Sequence, residues 1–103
     1  MEDLKKKLVE CIVACNHCFD ACLKEKDVQM MVQCIRLDKA CSEICSLALS
    51  QLASNSPFAS DVLRICVKAC EECAHECGKH HNQHCRDCAK ACKECAEACK
   101  ANA

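Results

Sequence analysis

The chain has 103 residues, 14 basic against 15 acidic, no Trp or Tyr, only Phe19 and Phe58 as aromatics, and 16 cysteines. That length fits a single domain over 1–103, and the near-zero net charge excludes nucleic acid and an anionic membrane surface as natural partners. No stretch is long and uncharged enough to cross a bilayer, and Met1-Glu2-Asp3-Leu4-Lys5-Lys6-Lys7-Leu8 lacks the apolar run of a secretory signal, so a cytoplasmic location is expected.

With one Gly and one Pro, the chain has too few turn residues for a β domain, and an all-α fold is predicted. The first helix spans 3–24 and ends in Lys24-Glu25-Lys26-Asp27, where Asp27 caps the next. The second spans 28–53 and ends in Ser54-Asn55-Ser56-Pro57, with Ser56 as N-cap and Pro57 as first helical residue. The third spans 57–77 and is ended by Gly78. After Lys79-His80-His81, Asn82 caps the fourth, over 82–101. Short loops make consecutive helices antiparallel neighbours, giving an up-down-up-down four-helix bundle.

The first helix carries Cys11, Cys15, Cys18 and Cys22, and the third carries Cys66, Cys70, Cys73 and Cys77, both as C-x3-C-x2-C-x3-C. The second has Cys34, Cys41 and Cys45, and the fourth has Cys85, Cys88, Cys92, Cys95 and Cys99. At about 100° per residue, the cysteines of the first three helices each fall within an arc of roughly 60°, and those of the fourth within roughly 80°. Leu4 and Leu8 continue the first stripe upstream. The cysteine face is therefore the core face, and the bundle interior is lined with sulfur.

Cysteine can pack as a small hydrophobe, but sixteen on four converging faces need a chemical reason. Disulfides are a poor one: Cβ atoms one helical turn apart are about 5–6 Å from each other, wider than a disulfide prefers, and the cross-helix bridges that spacing still allows conflict with a cytosolic location. In a reducing compartment dense cysteine points to metal. Thiolate-only sites take Cu(I), Zn or iron–sulfur clusters. Charge favours Cu(I), since one ion balances one thiolate whereas Zn²⁺ on four thiolates leaves two negative charges buried. Geometry agrees: metal–sulfur bonds near 2.3 Å span an S–S gap of about 4.6 Å, within reach of an i, i+4 pair. Tetrahedral Zn needs cysteines from several helices to converge, which linear stripes make awkward to repeat. Iron–sulfur ligands usually sit in loops. Several Cu(I) ions per chain are expected.

The two ends differ. Leu4, Leu8, Leu49, Leu52, Phe58 and Val62 form a hydrophobic plug at one. Cys22, Cys34, Cys77 and Cys85 mark the other, with Met30 and Met31 flanking the direction of Cys34 and with His80, His81 and His84 nearby. His81 joins the fourth cysteine arc if that helix is extended back one turn. Thioether and imidazole both bind copper, so this end reads as the port at which metal lands. His17 and His75 point away from the stripes. Asp38, one turn after Cys34 and close to the middle of that stripe, is either a ligand beside the thiolates or, the favoured reading, an edge residue paired with Lys or Arg.

The repeated cysteine helices, the His/Met-bearing end and the missing export signal resemble the cytosolic copper storage proteins of bacteria, over essentially the whole chain. The resemblance implies Cu(I) held by the sixteen cysteines, loading past Met30, Met31, His81 and His84, assembly as a homotetramer, and copper buffering. Self-association has separate support in the second apolar side formed by Val9, Ile12, Phe19 and Leu23, joined by Val28, Val32, Ile35 and Leu47. No activated cysteine stands apart and no Ser/His/Asp or paired-carboxylate arrangement occurs, so no enzyme is expected. Zinc or mixed soft-metal sequestration and a thiol redox role are the alternatives.

Overall fold

In the computed structural model, which describes residues 1–103, helices occupy Glu2–Leu23 (α1), Val32–Ala53 (α2), Ala59–Cys77 (α3) and Gln83–Asn102 (α4), with no strand. The helix junctions depart from expectation in instructive ways. Val28–Met31 is a single 3-10 turn rather than the start of α2, closed by the Met30 N–H donating to the Asp27 carbonyl at 3.2 Å. Asp27 stands at the cap position, but its carboxylate makes no capping bond.

At the next junction Ser56 is not the N-cap and Pro57 is not helical: Phe58 takes the cap position without a side-chain capping bond, and the Ser56 Oγ accepts the Phe58 N–H at 3.1 Å within the turn that precedes it. That turn is tight, with the Ala59 N–H reaching back to the Ser56 carbonyl at 3.2 Å, and regular helix starts only at Ala59. Just upstream, Asn55 takes the left-handed conformation (φ 54°) that ends α2. The Ser56 N–H then reaches the Gln51 carbonyl at 2.9 Å and the Asn55 N–H the Leu52 carbonyl at 3.1 Å, which occupies two of the carbonyls a helix end leaves free.

Gly78 ends α3 without going left-handed (φ −65°); a Cβ there would stand 3.0 Å from the Ala74 carbonyl oxygen, so closeness rather than handedness favours glycine. Asn82 is extended (φ −61°, ψ 138°) and its carbonyl, not its side chain, receives the N–H groups of Cys85 and Arg86 at 3.1 Å.

Antiparallel order is read from side-chain pairs. Along α1 and α4, Lys7 meets Glu94, Cys11 meets Cys92, and Cys18 meets Cys85. Along α2 and α3, Cys45 meets Cys66, Cys41 meets Cys70, and Cys34 meets Cys77. Each helix packs on both of its neighbours in a square, with α1 closing on α4, and the rod measures 44 × 18 × 17 Å.

All sixteen cysteines have zero exposure, and besides them the apolar core holds only Leu4, Leu8, Met31, Ala48, Leu63 and Ala96. The plug end is real but differently composed. Leu63 is buried there, Leu49, Leu52 and Val62 are partly buried, and Phe58 is 65% exposed. Phe58 precedes the regular helix and its ring turns outward, so Leu63, which shares a face with Cys66 and Cys70, fills the space instead.

These few leucines carry an unusual share of the apolar packing. Leu8→Ala should destabilise the reduced apo-protein by about 2–5 kcal/mol. An anaerobic thermal melt should show this as a drop of roughly 8 °C or more.

Candidate metal centre

Because the stripes of four antiparallel helices face one axis, sulfurs from different helices meet in layers. Several groups have their ligand atoms within 4.8 Å of one another, among them Cys18, Cys22, Cys34 and Cys85; Cys15, Cys73, Cys88 and Cys92; Cys11, Cys15, Cys41 and Cys92; Cys11, Cys41, Cys45 and Cys70; and Cys45, Cys66, Cys70 and Cys95. Each of the last four shares two sulfurs with the next. Cys99 lies beyond, beside Cys66 and Cys95. No disulfide is present. Pairs one turn apart, such as Cys18–Cys22 at 3.7 Å and Cys73–Cys77 at 3.9 Å, need open by less than about 1 Å for a linear S–metal–S bridge.

The convergence is stronger than linear stripes suggest, for sulfurs of three helices reach common points in each of these groups. Four-sulfur geometry alone therefore does not disfavour Zn²⁺. Charge and sharing do. Four Zn²⁺ on sixteen thiolates would leave eight negative charges in a dry core, whereas sixteen Cu(I) would leave none. Sulfurs shared between successive groups also suit ions bridged by common thiolates rather than isolated tetrahedra.

Asp38 corrects the sequence reading. It is fully buried, and no Lys or Arg approaches it. The thiols of Cys73, Cys77 and Cys88 donate to Oδ1 at 3.3, 3.4 and 3.3 Å, and that of Cys34 points to Oδ2 at 3.8 Å. Burial first, and then the nearby Cys88 sulfur, push its carboxyl up to about 11, so it stays protonated at neutral pH. The signal lay in the spacing: Cys34, Asp38, Cys41 and Cys45 repeat C-x3-C-x2-C-x3-C with Asp in the second place. Asp38 stands between the outermost sulfur group and the shared ladder below it.

At the outer end, His84 lies on the first turn of α4 with its side chain 12% exposed. Its Nδ1 is 3.4 Å from the Cys18 sulfur, 3.5 Å from Cys85 and 4.0 Å from Cys22. Burial lowers its basicity, but bonding to Cys18 and Glu25 outweighs this and holds the imidazole above its ordinary range. Burial, reinforced by the neighbouring Cys18, pushes the Cys22 thiol up and Cys85 up to about 12.

Met30 and Met31 separate. Met31 is buried against the core while Met30 is 67% exposed, because the 3-10 turn points them differently. His81 falls outside α4, which starts at Gln83, so it does not join the cysteine arc and is exposed. A cleft of about 370 Å³ gathers Met30, Met31, His80, His81, Glu25 and Asn82 at this end. His80 is held by Glu76 at 3.1 Å. His17 is exposed as expected, yet its ring stands edge-on to His84 with centroids 6.5 Å apart.

A family model described as copper storage protein matches residues 1–103. The solved Cu(I)-bound copper storage protein BsCsp3 is 44% identical, with a TM-score of 0.94 covering 97% of this chain and 94% of that one. A copper storage protein of Streptomyces lividans, loaded with 10 copper equivalents, is 33% identical, with a TM-score of 0.93 over 96% of this chain and 80% of that one. An uncharacterized cysteine-rich protein of Bacillus subtilis, YhjQ, is 46% identical over 82 residues, which is 80% of this chain and 76% of the relative.

Asp38 makes the apo-protein pH-sensitive. Its carboxyl is protonated when folded and ionised at neutral pH when unfolded, so the native state binds more protons and stability falls as pH rises from about 4 toward the folded value near 11. Anaerobic melts of the reduced protein should therefore rise as pH is lowered from about 8 to 5. Asp38→Asn should raise the melting temperature at pH 7 and flatten that slope.

Proposed function

The chain belongs to the copper storage protein family, and we propose that it holds its Cu(I) on the core cysteines and fills from the His84 end. It binds and stores Cu(I), many ions to a chain. The ligands in this reading are Cys11, Cys15, Cys18 and Cys22 of α1, Cys34, Cys41 and Cys45 of α2, Cys66, Cys70, Cys73 and Cys77 of α3, and Cys85, Cys88, Cys92, Cys95 and Cys99 of α4. The observation that carries it is the sulfur ladder itself, in which every thiol is buried and successive groups of four bring sulfurs of three helices within 4.8 Å of one another.

The chemistry is exchange of one positive charge for another. A dry thiol cannot shed its proton to leave a bare thiolate, but it can when Cu(I) takes the proton's place. Copper enters by ligand exchange, sulfur to sulfur, without leaving the polarisable core for water. His84 is the first acceptor, since its Nδ1 already faces Cys18, Cys22 and Cys85. Met31 closes over this end. Met30, His80 and His81 line the cleft outside it, where weaker donors can gather Cu(I) before the thiols bind it.

A storage role without catalysis fits the uniform burial, because a thiol enzyme needs one accessible, activated cysteine and none of the sixteen is exposed. The whole chain, 1–103, acts as one domain in this reading. The outer faces of α1 and α2 expose Val9, Val13, Leu23, Val32 and Leu47, all more than 40% accessible, and these are the surfaces for self-association into a tetramer. A cytoplasmic site of action fits the reduced thiols and the relatives' character.

Anaerobic titration of the fully reduced protein with Cu(I) against a competing chelator tests the ligand assignment. Roughly one Cu(I) per one or two thiols should bind tightly. An end-point at one or two ions, or equal competition by Zn²⁺, would overturn it. In weak buffer each Cu(I) should release about one proton, so affinity should fall about tenfold per pH unit as pH is lowered. His84→Ala should slow the first copper transfer far more than it lowers total uptake.

A further inference from the structure

Glu25 belongs to none of the cysteine stripes and precedes the 3-10 turn in the loop after α1. Its backbone is pinned to the end of α1, the N–H donating to the Cys22 carbonyl at 3.2 Å. Its side chain crosses to α4, where Oε2 lies 2.7 Å from Nε2 of His84. Neither group is fully solvated, the imidazole being 12% and the carboxylate 33% exposed. Lys24, next to it in the chain, pairs with Asp20 at 2.9 Å instead, which leaves the Glu25 carboxylate to the histidine.

The rest of the ring's surroundings explain why that bond matters. Nδ1 faces three sulfurs between 3.4 and 4.0 Å away, Cys18, Cys85 and Cys22. Rotation about the outer side-chain bond of histidine is broad and roughly two-fold. A half-turn flip would put the carbon Cδ2 where Nδ1 now stands and leave no ring nitrogen facing the outer sulfur group. A carboxylate accepting from Nε2–H forbids the flip, keeps the proton on Nε2 and leaves Nδ1 as the nitrogen that meets copper. His80 makes a useful contrast: Glu76 holds its Nε2 at 3.1 Å, but its ring makes no hydrogen-bond contact with a sulfur.

We infer that Glu25 is a positioning residue for copper capture, acting through His84 to present Nδ1 to incoming Cu(I) beside Cys18, Cys22 and Cys85. The inference rests on His84 being the first acceptor. Glu25 itself does not touch the metal. It ties the α1 loop to the start of α4 across the mouth, so the bond that sets the ring also sets the shape of the opening.

The test compares the reduced apo-protein with Glu25→Ala, Glu25→Gln, His84→Ala and the Glu25→Ala/His84→Ala double variant. Each receives Cu(I) anaerobically from a coloured bis-chelate complex, and the rate of the first transfer is read. Glu25→Ala should slow it about tenfold or more, the usual size of an outer partner's effect on a metal-binding histidine. Glu25→Gln keeps an oxygen that accepts from Nε2–H and should restore the rate to within about threefold. The double variant should be no slower than His84→Ala alone, because Glu25 has nothing to position once the ring is gone. Nitrogen-15 spectra should show His84 as a single tautomer protonated at Nε2 in the parent and as a mixture in Glu25→Ala.

A Glu25→Ala rate equal to the parent's, with His84→Ala slow, overturns the role of Glu25 and leaves the His84 port standing. Additive effects in the double variant overturn it too, since Glu25 would then act on Cu(I) independently. A parental rate in His84→Ala overturns the port and this inference with it. If Glu25→Ala fails to fold, the Glu25→Gln rate and the parent spectrum decide: a slow Gln variant or a mixed-tautomer parent overturns the inference.

Discussion

A sulfur sealed from water must stay neutral, and the rest of this molecule follows from that constraint. Sixteen cysteines with no exposure form a core that can exist in two neutral conditions, as thiols or as thiolates balanced by a monovalent soft cation. The first packs loosely, since each thiol is smaller than the Leu it replaces. The second fills the core with metal and links helices across the axis. Stability and function therefore share the same residues, and binding of cargo adds to the folded state.

Asp38 shows how strict the constraint is. An ionised carboxylate in this position would be a lone buried charge among sulfurs, so it keeps its proton and accepts from three thiols. It interrupts the sulfur stripe of α2 between the outer group and the deeper ladder, where a fourth cysteine would complete the repeat seen in α1 and α3. The interruption puts an oxygen acceptor between the outer sulfur group and the deeper ladder.

The two ends of the rod are built differently. Leu4, Leu8 and Leu63 seal one end with ordinary apolar packing. At the other the chain bends through a 3-10 turn and an extended Asn82, and polar groups gather around the outermost sulfurs. His84 reaches them from the first turn of α4, and Glu25 reaches His84 from the opposite loop. One end is thus closed by a leucine layer, and the other brings a histidine against the outermost sulfurs.

The sequence by itself determined the all-α class, the four helices to within a few residues, the sulfur-lined interior, and which end was apolar. Those follow from spacing along a helix, where 3.6 residues per turn decides which side chains share a face without reference to any other segment. Resemblance of the cysteine repeat was enough to point to the copper storage family. Other features depended on register between helices, which spacing within one helix does not contain. The burial of Asp38 came from three thiols of α3 and α4 closing over it. The exposure of Phe58 and the parting of Met30 from Met31 came from tight turns that redirect the chain before regular helix begins. Glu25 and His84 are 59 residues apart, and only the antiparallel closing of α4 on α1 brings a loop carboxylate to the one histidine that faces sulfur.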